Sequence, residues 1–178
     1  EKTHFPFQDT PYVLVSLHRY ENIFTSRLKK IILPILIDIS EKHKLVFTLH
    51  PTTRERLLTL NIYEDLINHP NIIMHERFGF VEWINICYSS EFVITDGGSN
   101  QQELFYMGIP TMLFRNETER NDQLSDNIVL TKFDRDIIKK FLNNYTDLRG
   151  GKNLPNISPS QLIIDSLQKI SMNINCKS

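Results

Sequence analysis

Short apolar runs alternate with longer segments of helical periodicity along almost the whole chain, a pattern that admits little beyond repeated βαβ units around a parallel sheet. The runs Val13–Leu17, Leu45–Leu49, Asn71–Met74, Phe92–Thr95, Thr111–Phe114 and a shorter one at Ile128–Leu130 read as strands. Each is continuously apolar, as strands are when helices cover both faces of their sheet. Between them, Phe24–His43 repeats Leu28, Ile31, Ile32, Ile35 and Ile39 at helical spacing, with Thr25 or Ser26 as N-cap and a kink expected at Pro34. Helices are also expected from about Thr52 and over Val81–Tyr88, Asn100–Tyr106, Asp134–Asn143 and Gln161–Ile170. The fold expected is a doubly wound α/β domain over residues 11–149. Residues 1–10, polar and opening at Glu1 without a Met, read as a linker from a further domain upstream; residues 150–178 read as a loop and a C-terminal helix.

Composition narrows the partners. With 20 Lys+Arg against 21 Asp+Glu there is no basic excess to neutralise a phosphate backbone, so nucleic acid is not an expected partner. The longest apolar run, Ile31–Ile39, is too short to span a bilayer and contains Pro34 and Asp38, so no membrane partner is expected either. Cys87 and Cys176 lie far apart, which suits a reducing, cytoplasmic setting and offers neither a disulfide framework nor a thiolate metal site. The histidines show no metal spacing, and neither a metal nor a cofactor is expected.

Ligands of an open parallel sheet bind beyond the carboxyl ends of its strands. Four such ends are polar here: Ser16–Asn22, His50–Arg54, Asp96–Glu103 and Arg115–Arg120. In the third, Gly97 and Gly98 allow positive φ and close backbone approach, and Ser99 or Asn100 would cap a helix whose first amides have no internal acceptor. Two readings fit that turn: an anion site favoured by free amides and the helix dipole, or an ordinary capped βα turn. It matches neither a dinucleotide fingerprint nor a P-loop. Arg115 and Arg120 could bring guanidinium groups to an anion there, or pair with Glu117 and Glu119 as a solvated cluster. His18 and His50 end two different strands, and imidazoles at both places favour a site over incidental packing. Trp83 could stack on a base or simply fill the core.

Taken together, the blocks Ser16-Leu17-His18-Arg19-Tyr20-Glu21-Asn22, Leu49-His50-Pro51, Thr95 to Glu103, Gly108-Ile109-Pro110 and Arg115 to Arg120 resemble, in order and separation, the C-terminal half of non-hydrolysing UDP-N-acetylglucosamine 2-epimerases. The resemblance runs over roughly Val13 to Leu142. It implies one Rossmann-like half of a two-domain, GT-B type fold, a UDP-sugar as ligand, and conversion of UDP-GlcNAc to UDP-ManNAc by elimination and re-addition of UDP. By position, His18 and Arg19 resemble the family's catalytic pair beside the diphosphate and His50 its second histidine. Glu103 resembles the glutamate that holds the ribose, Trp83 the aromatic residue against uracil, and Arg120 the arginine on phosphate, with Arg115 beside it. The amides of Gly98 and Ser99, after Gly97, would bind phosphate oxygens.

The family pattern D-S-G-G-x-Q-E-E is departed from at Gly97, which stands where a serine is usual, and at Gln102, which replaces a glutamate; Asn116-Glu117 replaces Asp-Thr. The resemblance assigns the C2 base to an N-terminal domain outside this sequence, so the chain alone should bind UDP weakly without turnover, and it admits a homodimer of the longer protein. Two alternatives are a donor-binding domain of a GT-B glycosyltransferase and a non-catalytic nucleotide-sugar sensor.

Overall fold

A computed structural model describes residues 4–125, 127–150 and 164. Six strands, β1 (Val13–Ser16), β2 (Leu45–Leu49), β3 (Ile72–Glu76), β4 (Val93–Thr95), β5 (Thr111–Leu113) and β6 (Ile128–Leu130), form one sheet in the order β3-β2-β1-β4-β5-β6. Every pairing is parallel, and Ser16 registers with Thr48 on one side and Thr95 on the other. This is the doubly wound arrangement expected from the sequence. Its chain reverses direction of winding between β1 and β4, and there the connecting loops part to leave a crevice.

Alternate residues of each strand feed opposite faces. Val13, Val15, Leu45, Phe47, Ile94 and Met112 pack under α2 (Leu33–Ser40), α3 (Pro51–Thr59) and α7 (Arg135–Asn144), through Leu36, Leu57, Ile138 and Phe141 among others. Leu14, Val46 and Val93 pack under α5 (Phe80–Ser89) and α6 (Gly98–Met107), through Ile86, Cys87 and Leu104. The remaining short helices are α1 (Tyr20–Ile23) and α4 (Tyr63–Ile67).

Three expectations are refined. The helix expected over Phe24–His43 is built in two pieces: a π-helical turn, Leu28–Ile32, runs into α2. Pro34 lies in the first turn of α2, where its missing amide matters least, and the wider turn lets the Leu33 amide reach Leu28 O instead of a carbonyl one residue nearer. Thr25 acts at that start, its Oγ1 accepting from the Arg27 amide at 3.2 Å. β3 runs on to Glu76, two residues past the apolar run read from the sequence. Ahead of β1, the segment read as a linker forms a 3-10 turn, Pro6–Asp9, that buries Phe7 against Tyr12 and Phe78.

α6 ends at Gly108, whose φ of 65° is the left-handed conformation that closes a helix and favours glycine. α7 begins at Asp134, whose carboxylate accepts from the amides of Asp136 and Ile137. The loop and helix expected over residues 150–178 lie outside the described residues apart from Gly150 and Ile164. Among the described residues no helix is long and apolar enough to cross a membrane, and no group of three or more His, Cys, Asp or Glu could hold a metal ion.

Candidate functional site

The crevice between β1 and β4 is organised by Asp96, a fully buried carboxylate directly after β4. Its Oδ1 accepts from the His18 amide at 3.0 Å, and its Oδ2 accepts from the Arg19 amide at 3.0 Å and from Asn22 Nδ2 at 2.9 Å. Asn22, also fully buried, donates its second amide hydrogen to Phe114 O. A buried charge is tolerated only when hydrogen-bonded this fully, so the loop from β1 into α1 is moored to β4. The same carboxylate lies 3.4 Å from His18 Nδ1, which favours a proton on that nitrogen and leaves Nε2 as the free one.

His18 and His50 face one another with their rings stacked, centroids 5.5 Å apart. They form one side of a cavity of about 220 Å³ whose other walls are Ser16 and Thr48 from the strand ends, Ser99, Asn100 and Glu103 from α6, and Arg77, Phe78, Phe80 and Trp83. Burial, the neighbouring His18 and the Arg77 guanidinium together hold His50 below the usual imidazole range, so an anion entering the cavity would be needed to favour its charged form. Ser99 and Glu103 stand four residues apart on α6 and therefore share a face. Burial pushes the Glu103 carboxyl up, an effect countered by the Trp83 indole N–H, which donates to Glu103 Oε2 at 3.0 Å. The body of Trp83 meanwhile packs on the core beneath α5, so this residue both fills space and presents a polar edge.

At the start of α6 the structure corrects two readings. The N-cap is Gly97, with φ −79°, and not Ser99 or Asn100; no side chain caps the helix. Among the described glycines only Gly108 has positive φ. Gly97 and Gly98 instead serve close approach. A Cβ on Gly97 would lie 3.0 Å from His18 Cε1 and 3.2 Å from Asn100 Cγ, so those side chains would have to give by a few tenths of an ångström to admit one. A Cβ on Gly98 would lie 2.7 Å from Glu119 Oε1, with Arg120 Nε at 3.7 Å.

The loop after β5 thus folds over the first turn of α6. The fully buried Gln101 ties it down, donating to Arg120 O and accepting from Thr118 Oγ1. Arg115, 8% exposed, donates to Glu119 Oε2 at 2.6 Å, while Arg120 donates to Gln102 Oε1 at 2.9 Å. Nη1 of Arg115 and Nε of Arg120 are buried without a hydrogen-bond partner.

Of the site residues expected from sequence, the fold brings His18, His50, Trp83, Ser99 and Glu103 to one cavity, with Gly97 beneath the His18 ring. Arg115 and Arg120 gather at Gly98 instead of lining that cavity, and Arg19 turns to Glu21, its Nε donating to Oε1 at 2.6 Å. Sequence reasoning missed Asp96 and Asn22 as the mooring of the loop, and Arg77 and Phe78 as cavity walls. The available signal for the latter pair was the polar end of the third strand, hidden by ending that strand at Met74.

Known proteins share this architecture. A sequence profile of the family described as UDP-N-acetylglucosamine 2-epimerase matches residues 1–159. A UDP-N-acetylglucosamine 2-epimerase of Methanocaldococcus jannaschii is 34% identical over 115 residues, which is 63% of this chain and 31% of that protein. The chain therefore spans about a third of the length of this curated relative. The crystal structure of the Methanocaldococcus jannaschii enzyme in complex with UDP-GlcNAc and UDP superposes with a TM-score of 0.74 and 26% identity, covering 84% of this chain and 42% of that one. The enzyme of Neisseria meningitidis, bound to UDP-GlcNAc, shares the fold with a TM-score of 0.76 at 24% identity, over 93% of this chain and 47% of that one. With the profile matching all but the last part of the sequence, and the doubly wound sheet superposing on solved members, this chain belongs to the UDP-N-acetylglucosamine 2-epimerase family.

Proposed function

We propose that this chain binds the UDP portion of a UDP-sugar and forms the nucleotide-binding half of an enzyme that interconverts UDP-GlcNAc and UDP-ManNAc. The observation that carries the reading is the alignment of Ser99 and Glu103 along one face of α6, opposite the stacked imidazoles of His18 and His50. A diphosphate at the first amides of α6 meets unpaired N–H groups and the positive end of the helix dipole. One turn further on, Glu103 is placed to accept from ribose hydroxyls, and the base then lies toward Phe78, Phe80 and Trp83. The cavity of about 220 Å³ is smaller than the roughly 300–1,000 Å³ that encloses a small-molecule ligand, which suits part of a nucleotide sugar with the remainder covered from outside.

In this reading His18 stands beside the bond that breaks when UDP leaves. With Asp96 favouring a proton on Nδ1, Nε2 is free to face the diphosphate, and an imidazolium there would offset the charge that builds on the departing UDP. His50, held neutral without a ligand, takes up a proton as the diphosphate arrives. Arg120 and Arg115 add charge from the other side of Gly98. The base that removes the C2 proton is assigned to a second domain closing over this one, since elimination requires both groups held in place around the sugar.

Thermal unfolding with UDP tests the binding half of the proposal: ligand at a hundred times its Kd should stabilise the fold by about 2.7 kcal/mol. No shift at millimolar UDP would refute it. Incubation of the longer protein with UDP-GlcNAc should yield UDP-ManNAc, whereas a glycoside product would indicate transfer to an acceptor. Turnover by residues 1–178 alone would overturn the assignment of the base to another domain.

A further inference from the structure

One charged group beside α6 takes no part in the proposed binding of UDP. The Glu119 carboxylate rests on the first residue of α6, where a Cβ on Gly98 would lie 2.7 Å from its Oε1. It holds Arg115 through a 2.6 Å ion pair, and that guanidinium, 8% exposed, keeps a second buried nitrogen without a partner. Glu119 itself is 56% exposed. The geometry points to Glu119 as a specificity-determining residue: an internal anion beside the diphosphate position that disfavours free UDP relative to a UDP-sugar.

A terminal phosphate carries an additional negative charge above its second pKa of about 6, whereas the same phosphate esterified to a sugar does not. A carboxylate against the first turn of α6 repels the extra charge and competes with it for Arg115, while the singly charged diester is opposed less. Arg115 and the Glu119 backbone amide hold this carboxyl at about 2, so it is anionic at any working pH. The Ser99–Glu103 face meets parts common to both ligands, and the imidazoles, cationic when they face the diphosphate, would favour the extra charge rather than oppose it.

This inference rests on the proposed UDP site, and two ligands against two variants separate its failure from the failure of that site. Kd for UDP and for UDP-GlcNAc would be measured by calorimetry on the unaltered chain, E119Q and E119A. Partly exposed charge contacts are worth up to about 1 kcal/mol, so removing the carboxylate should tighten UDP by up to about fivefold. UDP-GlcNAc should change less than about twofold, so that the ratio of the two constants moves. Equal change for both ligands, or weaker UDP binding in both variants, would overturn the inference and make Glu119 a support for Arg115. Binding of neither ligand to any of the three proteins would overturn the UDP site itself. Binding by E119Q but not by the unaltered chain would support Glu119 as the opposing charge. Two variants guard against one of them failing to fold.

Discussion

Replacing Asp96 by Ala should be among the most damaging single changes in this domain, although Asp96 need not touch a ligand. The carboxylate is fully buried and accepts from the amides of His18 and Arg19 and from Asn22 Nδ2. Phe114 O engages only the other hydrogen of the Asn22 amide, so three buried donors lose their acceptor, the two backbone amides and Asn22 Nδ2. A buried donor left without an acceptor costs about 1–3 kcal/mol. Three of them therefore cost about 3–9 kcal/mol, and a loss near the middle of that range lowers Tm by roughly 12–24 °C for a domain of this size. Asp96→Asn should cost about 1–2 kcal/mol less, because its remaining oxygen serves Arg19 and Asn22, while its new amide faces His18 Nδ1 but opposes the His18 N–H that Oδ1 accepted. That same exchange moves the proton from His18 Nδ1 to Nε2, so the Asn variant should weaken UDP binding more than its stability suggests. Reversible urea and thermal unfolding, with Asp38→Ala as a reference for an exposed ion pair, would measure these losses. An Asp96→Ala protein within about 1 kcal/mol of the unaltered chain would refute the mooring argument, since an exposed pair contributes no more than that.

Two further outcomes are expected. Glu103→Gln should weaken UDP binding by roughly tenfold to a hundredfold, the range of a hydrogen bond to a charged acceptor. It should also abolish any preference for UDP over its 2′-deoxy form; an unchanged preference would remove Glu103 from the ribose. For His50, the folded pKa lies below the ordinary 6.5, so between those two values the unfolded chain binds more protons and stability rises with pH. Its contribution is complete above the unfolded value and is lost as pH falls through the folded one. His50→Gln should flatten that slope, and in NMR titrations UDP should raise the His50 pKa; a pKa unmoved by saturating UDP would place the diphosphate elsewhere.

Strand positions followed directly from the sequence where burial was complete. Val13–Val15 and Leu45–Phe47 are apolar throughout because helices cover both their faces, and the pattern needs no partner to be read. β3 is an edge strand, buried only at Ile72, so its polar end at His75 and Glu76 carried no such signal and hid Arg77 from view. The glycine turn after β4 was legible as a place of close approach, because two successive glycines before a helix serve few other ends. What approaches was not legible. His18 comes to Asp96 from 78 residues away in sequence, and Asn22 comes to Asp96 from 74 residues away.

The sequence by itself thus determined the alternation of strand and helix, the winding, and the strand ends at which chemistry could gather, since these depend on hydrophobic period and local backbone freedom. Only the tertiary structure decided which polar groups share a carboxylate, which imidazoles stack, and that Glu119 rather than open solvent lies against Gly98. Such pairings are set by the register of distant strands and the path of the loops between them, and no local propensity encodes either.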